Sequence, residues 1–487
     1  MGHILGVAGR APGPPYRFGF RDSRVEEGLR MPAVFPFRAV QFKQGKGDVS
    51  ECIAPPYDVL DARAKAKLVE RNEANIVAVD LPHTPAKELG PPEAYSNAAQ
   101  IYKGWLESGV LAQTEHPCVF AYRQTFDFMG QRYERSGMAC TVETRPFGPR
   151  EGGGVLPHEQ TFSGPKQDRF ALMEASATQF SPIFGLHADE DGAATALIKR
   201  VMDNRPADMT ADMGDGVKHE VWNVDNPETI KDYRNALEGE DVFIADGHHR
   251  YTTAINYLAK LQEGGKDVAE DHPARRTMIV LVGMSDPGLV IGATHRVLGG
   301  MKDYNFAALT TELDKFFTLD SVGTDPSTIE EQMEKRFEPG KNVLGIIDLA
   351  TNQCLVLTLK ADDPLAERFG DKPEAWRKLD VALVQHLIVE KMCEPKLNGG
   401  EPVKWAFPHT VPEVMEIAEG QETGAGGGEG FAQVAVIVRP TPLEAVKDIG
   451  AAGELMPQKS TFFYPKLATG LFINPLTSDV PVGAGAS

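Results

Sequence analysis

The stretch Asp241-Val-Phe-Ile-Ala-Asp-Gly-His-His-Arg-Tyr-Thr-Thr-Ala254 decides how the rest of the chain is read. Its first five residues, 241–245, are β-branched, aromatic or small after the opening Asp and read as a buried strand. Further on, Tyr251, Ala254, Ile255, Leu258 and Leu261 recur on one helical face. Asp246-Gly247-His248-His249-Arg250 lies between. A chain that passes from strand to helix through Asp-Gly presents backbone N–H groups at the positive end of the helix dipole, where anions bind. Gly247 permits the tight turn, Asp246 can cap the helix or hold a cation, and Arg250 can fork onto a phosphate. The same residues also read as a plain turn and cap carrying two surface histidines. His248 and His249 lack the i, i+4 spacing of a helical zinc pair, and no third ligand follows.

Working outward, 487 residues allow about three domains' worth of chain. A hydrophobic share of 42% and a charged share of 24% suit an ordinary globular protein with a large core. The net charge of −19 opposes non-specific binding to DNA and to anionic membranes. Cys52, Cys118, Cys140, Cys354 and Cys393 form no C-x-x-C pair and read as free thiols of a reducing cytoplasm. No apolar run reaches membrane-spanning length, so a cytoplasmic protein is expected. Residues 1–30, rich in Gly, Pro and Arg, carry no signal-peptide core. They read as a disordered leader or as residues upstream of a true start at Met31.

The pattern predicts strands over 34–42, 75–82, 118–128, 132–142, 181–187, 217–224, 277–284, 288–296, 343–349, 354–359, 433–439 and 470–473. Helices are expected over 61–71, 95–108, 169–177, 227–237, 306–317, 328–337 and 376–391. Met129-Gly130 should close a hairpin, and 420–430 reads as a flexible surface loop, since it lacks the Gly-Lys-Ser/Thr ending of a phosphate loop. The expected fold class is α+β, with mixed sheets and flanking helices. Subdomains are expected over 31–150, 151–300 and 301–480.

Phosphate-handling residues gather in 157–169, 246–250 and 457–466. Pro157-His-Glu-Gln-Thr-Phe-Ser-Gly-Pro-Lys166 and Pro457-Gln-Lys-Ser-Thr-Phe-Phe-Tyr-Pro-Lys466 share Pro, Thr, Phe, Pro and Lys in register. Two loops that grip similar anions would then superpose. A phosphoryl-transfer site needs cations, backbone donors and a carboxylate that takes a hydroxyl proton or holds Mg²⁺. Lys166, Arg169, Arg250, Lys459 and Lys466 supply the first, the turn at Gly247 the second, and Glu159 or Asp246 the third. Each cation alone also reads as a solvated surface charge. Thr294-His295-Arg296 sits at a strand end, as site residues often do, or forms a polar rim. Ser460 and Thr461 have no neighbouring His-Asp arrangement, so a serine hydrolase is unsupported.

Ile53-Ala-Pro-Pro-Tyr-Asp58, His158-Glu-Gln-Thr161 with Gly164-Pro-Lys166, Ala245-Asp-Gly-His-His-Arg250, Thr294-His-Arg296 and Met456-Pro-Gln-Lys-Ser-Thr-Phe-Phe-Tyr-Pro-Lys466 together resemble domain-of-unknown-function family 1015. The resemblance runs in order from Met31 to about Pro475, with 420–430 as a local insertion. More remotely, Asp246-Gly-His-His-Arg250 is similar to the Gly-x-x-Arg phosphate box of the ParB/sulfiredoxin superfamily, including free-serine kinases whose box reads Asp-Gly-x-His-Arg. That resemblance implies a ParB/sulfiredoxin-like element around the turn. It also implies roles for Asp246 at the metal or acceptor hydroxyl, and for His249 and Arg250 on phosphate.

The expectation is a phosphoryl-transfer enzyme that uses Mg²⁺ and a nucleotide or polyphosphate (ATP, ADP or pyrophosphate) on a small hydroxyl metabolite such as serine. Its alternatives are a phosphohydrolase of an ester such as phosphoserine and a non-enzymatic ParB-like nucleotide-binding protein. Catalytic candidates are Asp246 (also the metal candidate), Glu159, His248 and His249. Phosphate-binding candidates are Gly247, Arg250, Lys166, Arg169, Lys459, Ser460, Thr461 and Lys466, with Asp58, His158, His295 and Arg296 beside them. The expected partner is a small molecule; nucleic acid and membrane are disfavoured.

Overall fold

A computed structural model describes residues 33–43, 48–86, 88–150, 153–159, 163–423, 426–427 and 430–477. The leader 1–30 and the start proposed at Met31 lie outside them. Mixed sheets flanked by helices make this an α+β protein.

The larger sheet grows from a hairpin, Val119–Phe128 with Gln131–Glu143, paired antiparallel from Phe128↔Gln131 through Phe120↔Ala139. Its turn works because Met129 and Gly130 both take positive φ, 49° and 76°, the geometry that matches strand twist in a two-residue loop. Lys218–Val224 joins one side of the hairpin antiparallel and Arg276–Gly283 the other. Beyond Arg276–Gly283 the sheet turns mixed. Ile183–His187 runs parallel to it, and Val242–Asp246 runs antiparallel to Ile183–His187. Val155–Leu156 closes that edge in parallel. Nine described strands make up this sheet. It takes strands from both sides of residue 150 and so runs through the boundary expected there.

The His248–Leu261 helix follows Val242–Asp246 and packs against the Ser163–Ser176 helix. Of its expected apolar face, Tyr251, Ala254 and Leu258 are buried, while Ile255 and Leu261 pack partly buried. A second, six-stranded sheet is antiparallel and draws only on residues after 295. Its order is Phe317–Gly323, Cys354–Leu359, Val343–Asp348, Ala432–Ile437, Arg296–Gly299, Lys404–Ala406. The chain then returns. Phe463, Leu467, Leu471, Phe472 and Ile473 bury themselves in the core of the first sheet. Val40 pairs with Ile473 and Ala54 with Thr469. That return carries the segment 457–466 to the first sheet.

Several expected elements came out differently. Residues 75–82 are not a strand; Val77–Asp80 is a single helical turn. The Asn75 carboxamide accepts from Val77 N–H (3.0 Å) and donates to the Glu51 and Ile53 carbonyls, nucleating a turn in a run buried on every side. A buried helix and a buried strand look alike there in sequence. The strand over 288–296 is two, because the chain changes sheets. Val290–Gly292 pairs with Phe462–Tyr464, and Arg296–Gly299 enters the second sheet. The helix over 376–391 breaks into Glu374–Arg377, Asp380–Leu383 and a wide π-helical Val384–Leu397. Within 470–473 only Ile473 pairs, and the short strand is Asn474–Pro475. The helix begun at Phe306 stops at Leu313, because Phe317 opens a strand. Part of 420–430 is outside the described residues; Glu422–Thr423 pairs with Gly426–Gly427. Among the described residues no helix is long and apolar enough to cross a membrane, and all five cysteines are buried and outside any disulfide.

Gly185, in the strand beside Val242–Asp246, has no room for a side chain: an added Cβ would lie 2.6 Å from Ile279 Cδ1 and 3.1 Å from Val242 Cγ1. Gly185→Ala should therefore cost about 1–3 kcal/mol of stability. Urea denaturation should show an earlier midpoint, and an unchanged midpoint would contradict this packing.

Candidate functional site

Asp246 is the last residue of its strand and His248 the first of the helix. Gly247 makes the corner between them with φ 95° and ψ 25°, a left-handed conformation that glycine adopts freely. No side chain caps this helix, so Asp246 is not the cap that the sequence allowed. Its carboxylate turns to two cations instead. Arg250 Nη2 donates to Oδ2 at 2.5 Å, and Lys466 Nζ donates to Oδ1. Arg250 also donates to the Pro182 carbonyl. Burial alone would raise the Asp246 carboxyl, but Lys466 and Arg250 override it and hold it well below the usual range. In the folded protein Asp246 is a permanent anion shared by two cations.

Lys466 reaches Asp246 because its loop is held from both sides. Gln124 and Arg135 face each other across the hairpin. Arg135 donates to the Tyr464 carbonyl (3.0 Å), the Pro465 carbonyl (2.5 Å) and Gln124 Oε1, while the Gln124 amide donates to the Lys466 carbonyl (3.0 Å). On the other side Arg296 donates to the Lys459 carbonyl (3.0 Å) and, longer, to Gln458 (3.3 Å). Arg135 and Arg296 are both buried, and burial pushes each guanidinium down to about 10. Main-chain carbonyls take the place of carboxylates for both.

Glu159 and His158 tie the loop to the first sheet. Glu159 pairs with Met456 in a parallel bridge, and Glu159 Oε1 accepts from the Ser460 N–H at 3.0 Å. Burial works to raise the Glu159 carboxyl, but the neighbouring His158 ring, then His248 and Lys459, bring it down to about 2. A carboxylate that acidic suits an anchor better than a general base. His158 Nδ1 carries its hydrogen to the Ile244 carbonyl (2.6 Å), which leaves Nε2 facing the Thr461 hydroxyl (2.8 Å). His248 Nε2 accepts from the His158 N–H, and burial, then His158, push it down to about 3. Burial likewise lowers His249 to about 4, against the attraction of Asp58, with Lys459, Lys166 and Arg250 adding to the depression.

The fold thus brings Asp58, His158, Glu159, Lys166, Asp246, Gly247, His248, His249, Arg250, Lys459 and Lys466 into one electrostatic neighbourhood. Other candidates are committed elsewhere. Arg169 lies behind the site, ion-paired with Asp80 (3.2 Å) and Asp168 (2.7 Å) over the Tyr57 ring, so it is a buried strut and not a phosphate clamp. The Ser460 hydroxyl donates to the Pro457 carbonyl and the Thr461 hydroxyl meets His158, so neither needs a ligand. His295 is fully buried, its Nδ1 accepting from Val438 N–H. Arg296 acts only on carbonyls. Where both are described, the two look-alike loops follow different backbone courses. Pro165 and Lys166 stand in the first turn of the Ser163–Ser176 helix, whereas Pro465 and Lys466 follow the strand Phe462–Tyr464; Gln160, Thr161 and Phe162 are outside the described residues. The segments pair side by side instead, at Glu159 and Met456.

Sequence reading missed Gln124, Arg135, Asp80 and Asp168. A polar pair in the middle of a hairpin gave no hint of what it would grip. A cavity of about 40 Å³, lined among others by Arg250, Arg169, Asp80 and Ser181, has room for a few waters. Among the described residues no group of three or more His, Cys, Asp or Glu side chains is arranged to hold a metal.

Residues 34–382 match a family described as "Protein of unknown function (DUF1015)". The match stops short of the segment from Met456 to Lys466, which the sequence resemblance included. Curated proteins gave no match. Solved structures with a likeness include a free serine kinase in complex with AMP, at 14% identity and TM-score 0.29, covering 67% of this chain and 94% of the other. A conserved hypothetical protein from Pyrococcus furiosus shows 15% identity and TM-score 0.28, covering 67% and 98%. SbnI with a C-terminal truncation, from Staphylococcus aureus, shows 11% identity and TM-score 0.31, covering 67% and 88%.

Burial holds His219, His248 and His295 far below the ordinary 6.5, at about 4, 3 and 3. Below pH 6.5 the unfolded chain takes up protons that the folded one refuses, so stability falls as pH drops from there toward about 4. Each histidine adds up to about 1.4 kcal/mol per pH unit. Melting temperatures should fall steadily across that window, and a flat profile would contradict the enclosure of these rings.

Proposed function

The chain belongs to the DUF1015 family, and from its own site we propose that it transfers a phosphoryl group from a nucleotide or polyphosphate to a small hydroxyl compound. One observation carries the reading: two cations, Lys466 and Arg250, converge on a single carboxylate at the uncapped start of a 14-residue helix. A phosphate competes for exactly this set of donors. It offers more negative charge than Asp246 and more acceptor oxygens for a guanidinium fork, an ammonium and backbone N–H groups. Lys166 and Lys459 contribute further positive potential around His249. A loose phosphoryl transition state spreads charge over its oxygens, and fixed cations are what stabilise it.

ATP, ADP and pyrophosphate are the donors to test. Mg²⁺ needs no preformed protein cage when phosphate oxygens and water supply most of its ligands. Asp246 would be its carboxylate ligand, the metal displacing Lys466 or Arg250 from one oxygen. Serine is the acceptor to try first, since the Asp246-Gly-His-His-Arg250 box resembles that of free-serine kinases. Nothing observed favours water over a hydroxyl compound as acceptor.

A donor present at a hundred times its Kd should stabilise the protein by about 2.7 kcal/mol. Thermal unfolding with ATP, ADP and pyrophosphate, with and without Mg²⁺, should show that shift for at least one of them. Lys466→Met should abolish it or weaken it by at least tenfold in concentration. Identical shifts in the variant, or none in the native chain, would end the proposal.

A further inference from the structure

Three carboxylates stand around the site, and two are already committed. Both Asp246 oxygens are occupied, one by Lys466 and one by Arg250. Glu159 Oε1 accepts from the Ser460 N–H, and the group is held at about 2. Asp58 differs. Its Oδ1 is enclosed and has no hydrogen-bond partner among the described residues. A buried acceptor without a donor costs stability, and native structures keep such atoms rarely. Yet Asp58 is held firmly. It lies in the short helical turn Tyr57–Val59, after Pro55-Pro56, and the preceding Ala54 exchanges both backbone hydrogen bonds with Thr469 (3.1 and 2.8 Å). Thr469 is three residues past Lys466, so one short segment fixes both groups. Asp58 attracts both Lys466 and His249. The Ala54–Thr469 pairing thus holds Asp58 close to the segment that carries Lys466.

We propose that Asp58 Oδ1 is the acceptor-side catalytic group, receiving the hydrogen of the substrate hydroxyl as that oxygen attacks phosphorus. This rests on the phosphoryl-transfer reading above. In the step, the hydroxyl oxygen forms a new P–O bond and the P–O bond to the donor's leaving phosphate breaks with its electron pair. The hydroxyl proton passes to Asp58, which later returns it to water. The substrate hydroxyl supplies the missing hydrogen bond to Oδ1. Asp246 remains an anion that organises the two cations.

Asp58→Asn keeps the shape of the side chain but cannot act as a base. The purified native and variant chains are given pyrophosphate, ADP or ATP with MgCl₂ and serine, and phosphoserine is followed by ³¹P NMR. Unfolding is monitored with the same donors. The variant should bind donors with unchanged thermal shifts and unfold no earlier than the native chain, while phosphoserine formation falls at least about 100-fold. Asp58→Glu should recover part of the rate. Equal turnover in Asp58→Asn overturns the role of Asp58 alone. A variant that also loses the donor-induced shift marks Asp58 as part of the binding site's framework and overturns the role as well. Absence of product from the native chain with all three donors overturns both this role and the transfer reading.

Discussion

Burying a guanidinium without a carboxylate is expensive, and this protein does it twice beside one loop. Arg135 and Arg296 sit at 1% and 2% exposure, and each is satisfied by main-chain carbonyls of the segment 458–466. Several kcal/mol of desolvation per ion must be offset by those hydrogen bonds. The arrangement therefore tolerates few alternatives: if the loop moves, both buried guanidiniums lose the carbonyls of 458–466. Lys459 accepts a left-handed backbone, φ 58°, within that constraint. What looks in sequence like a polar connector is among the most tightly specified segments of the chain.

The clamp links the two sheets to one site. Arg135 comes from the hairpin of the first sheet and Arg296 from a strand of the second. Phe463 anchors the loop in the first core, while Phe462 stacks on His409 at 3.6 Å. Lys466 therefore arrives at Asp246 from more than two hundred residues away with its position already set. A phosphate site assembled this way has its cations oriented before the ligand binds, which lowers the cost of binding and of reaching the transition state.

Local chemistry was legible in the sequence, and long-range partnership was not. The strand, Gly247 corner and helix around Asp246 could be read because each has a short-range physical signature: period, turn residue, apolar face. The Met129-Gly130 hairpin and the helix expected from 61, which Asp61 caps by accepting from Ala64 N–H at 2.6 Å, were legible for the same reason. Residues 75–82 misled because a fully buried run carries no periodicity. Arg169 looked like a phosphate ligand because sequence cannot show Asp80, 89 residues earlier, waiting to pair with it. The segments ending at Lys166 and Lys466, alike in sequence, end in a helix and after a strand. Gln124 and Arg135 carried no signal, since their target is backbone and backbone has no sequence.

The most direct test of the account is the reactivity of one amine. Lys466 should be shielded by Asp246, whose charge raises its ammonium above the usual lysine range, whereas Lys459 is exposed. Trace labelling of the native protein with acetic anhydride, quantified peptide by peptide in the mass spectrometer, compares the two directly. The account predicts that Lys466 is acetylated far more slowly than Lys459, and that whichever of pyrophosphate, ADP or ATP binds with Mg²⁺ then protects Lys459 as well. Lys466 labelled as fast as Lys459, with neither changed by any of these phosphates, would contradict it.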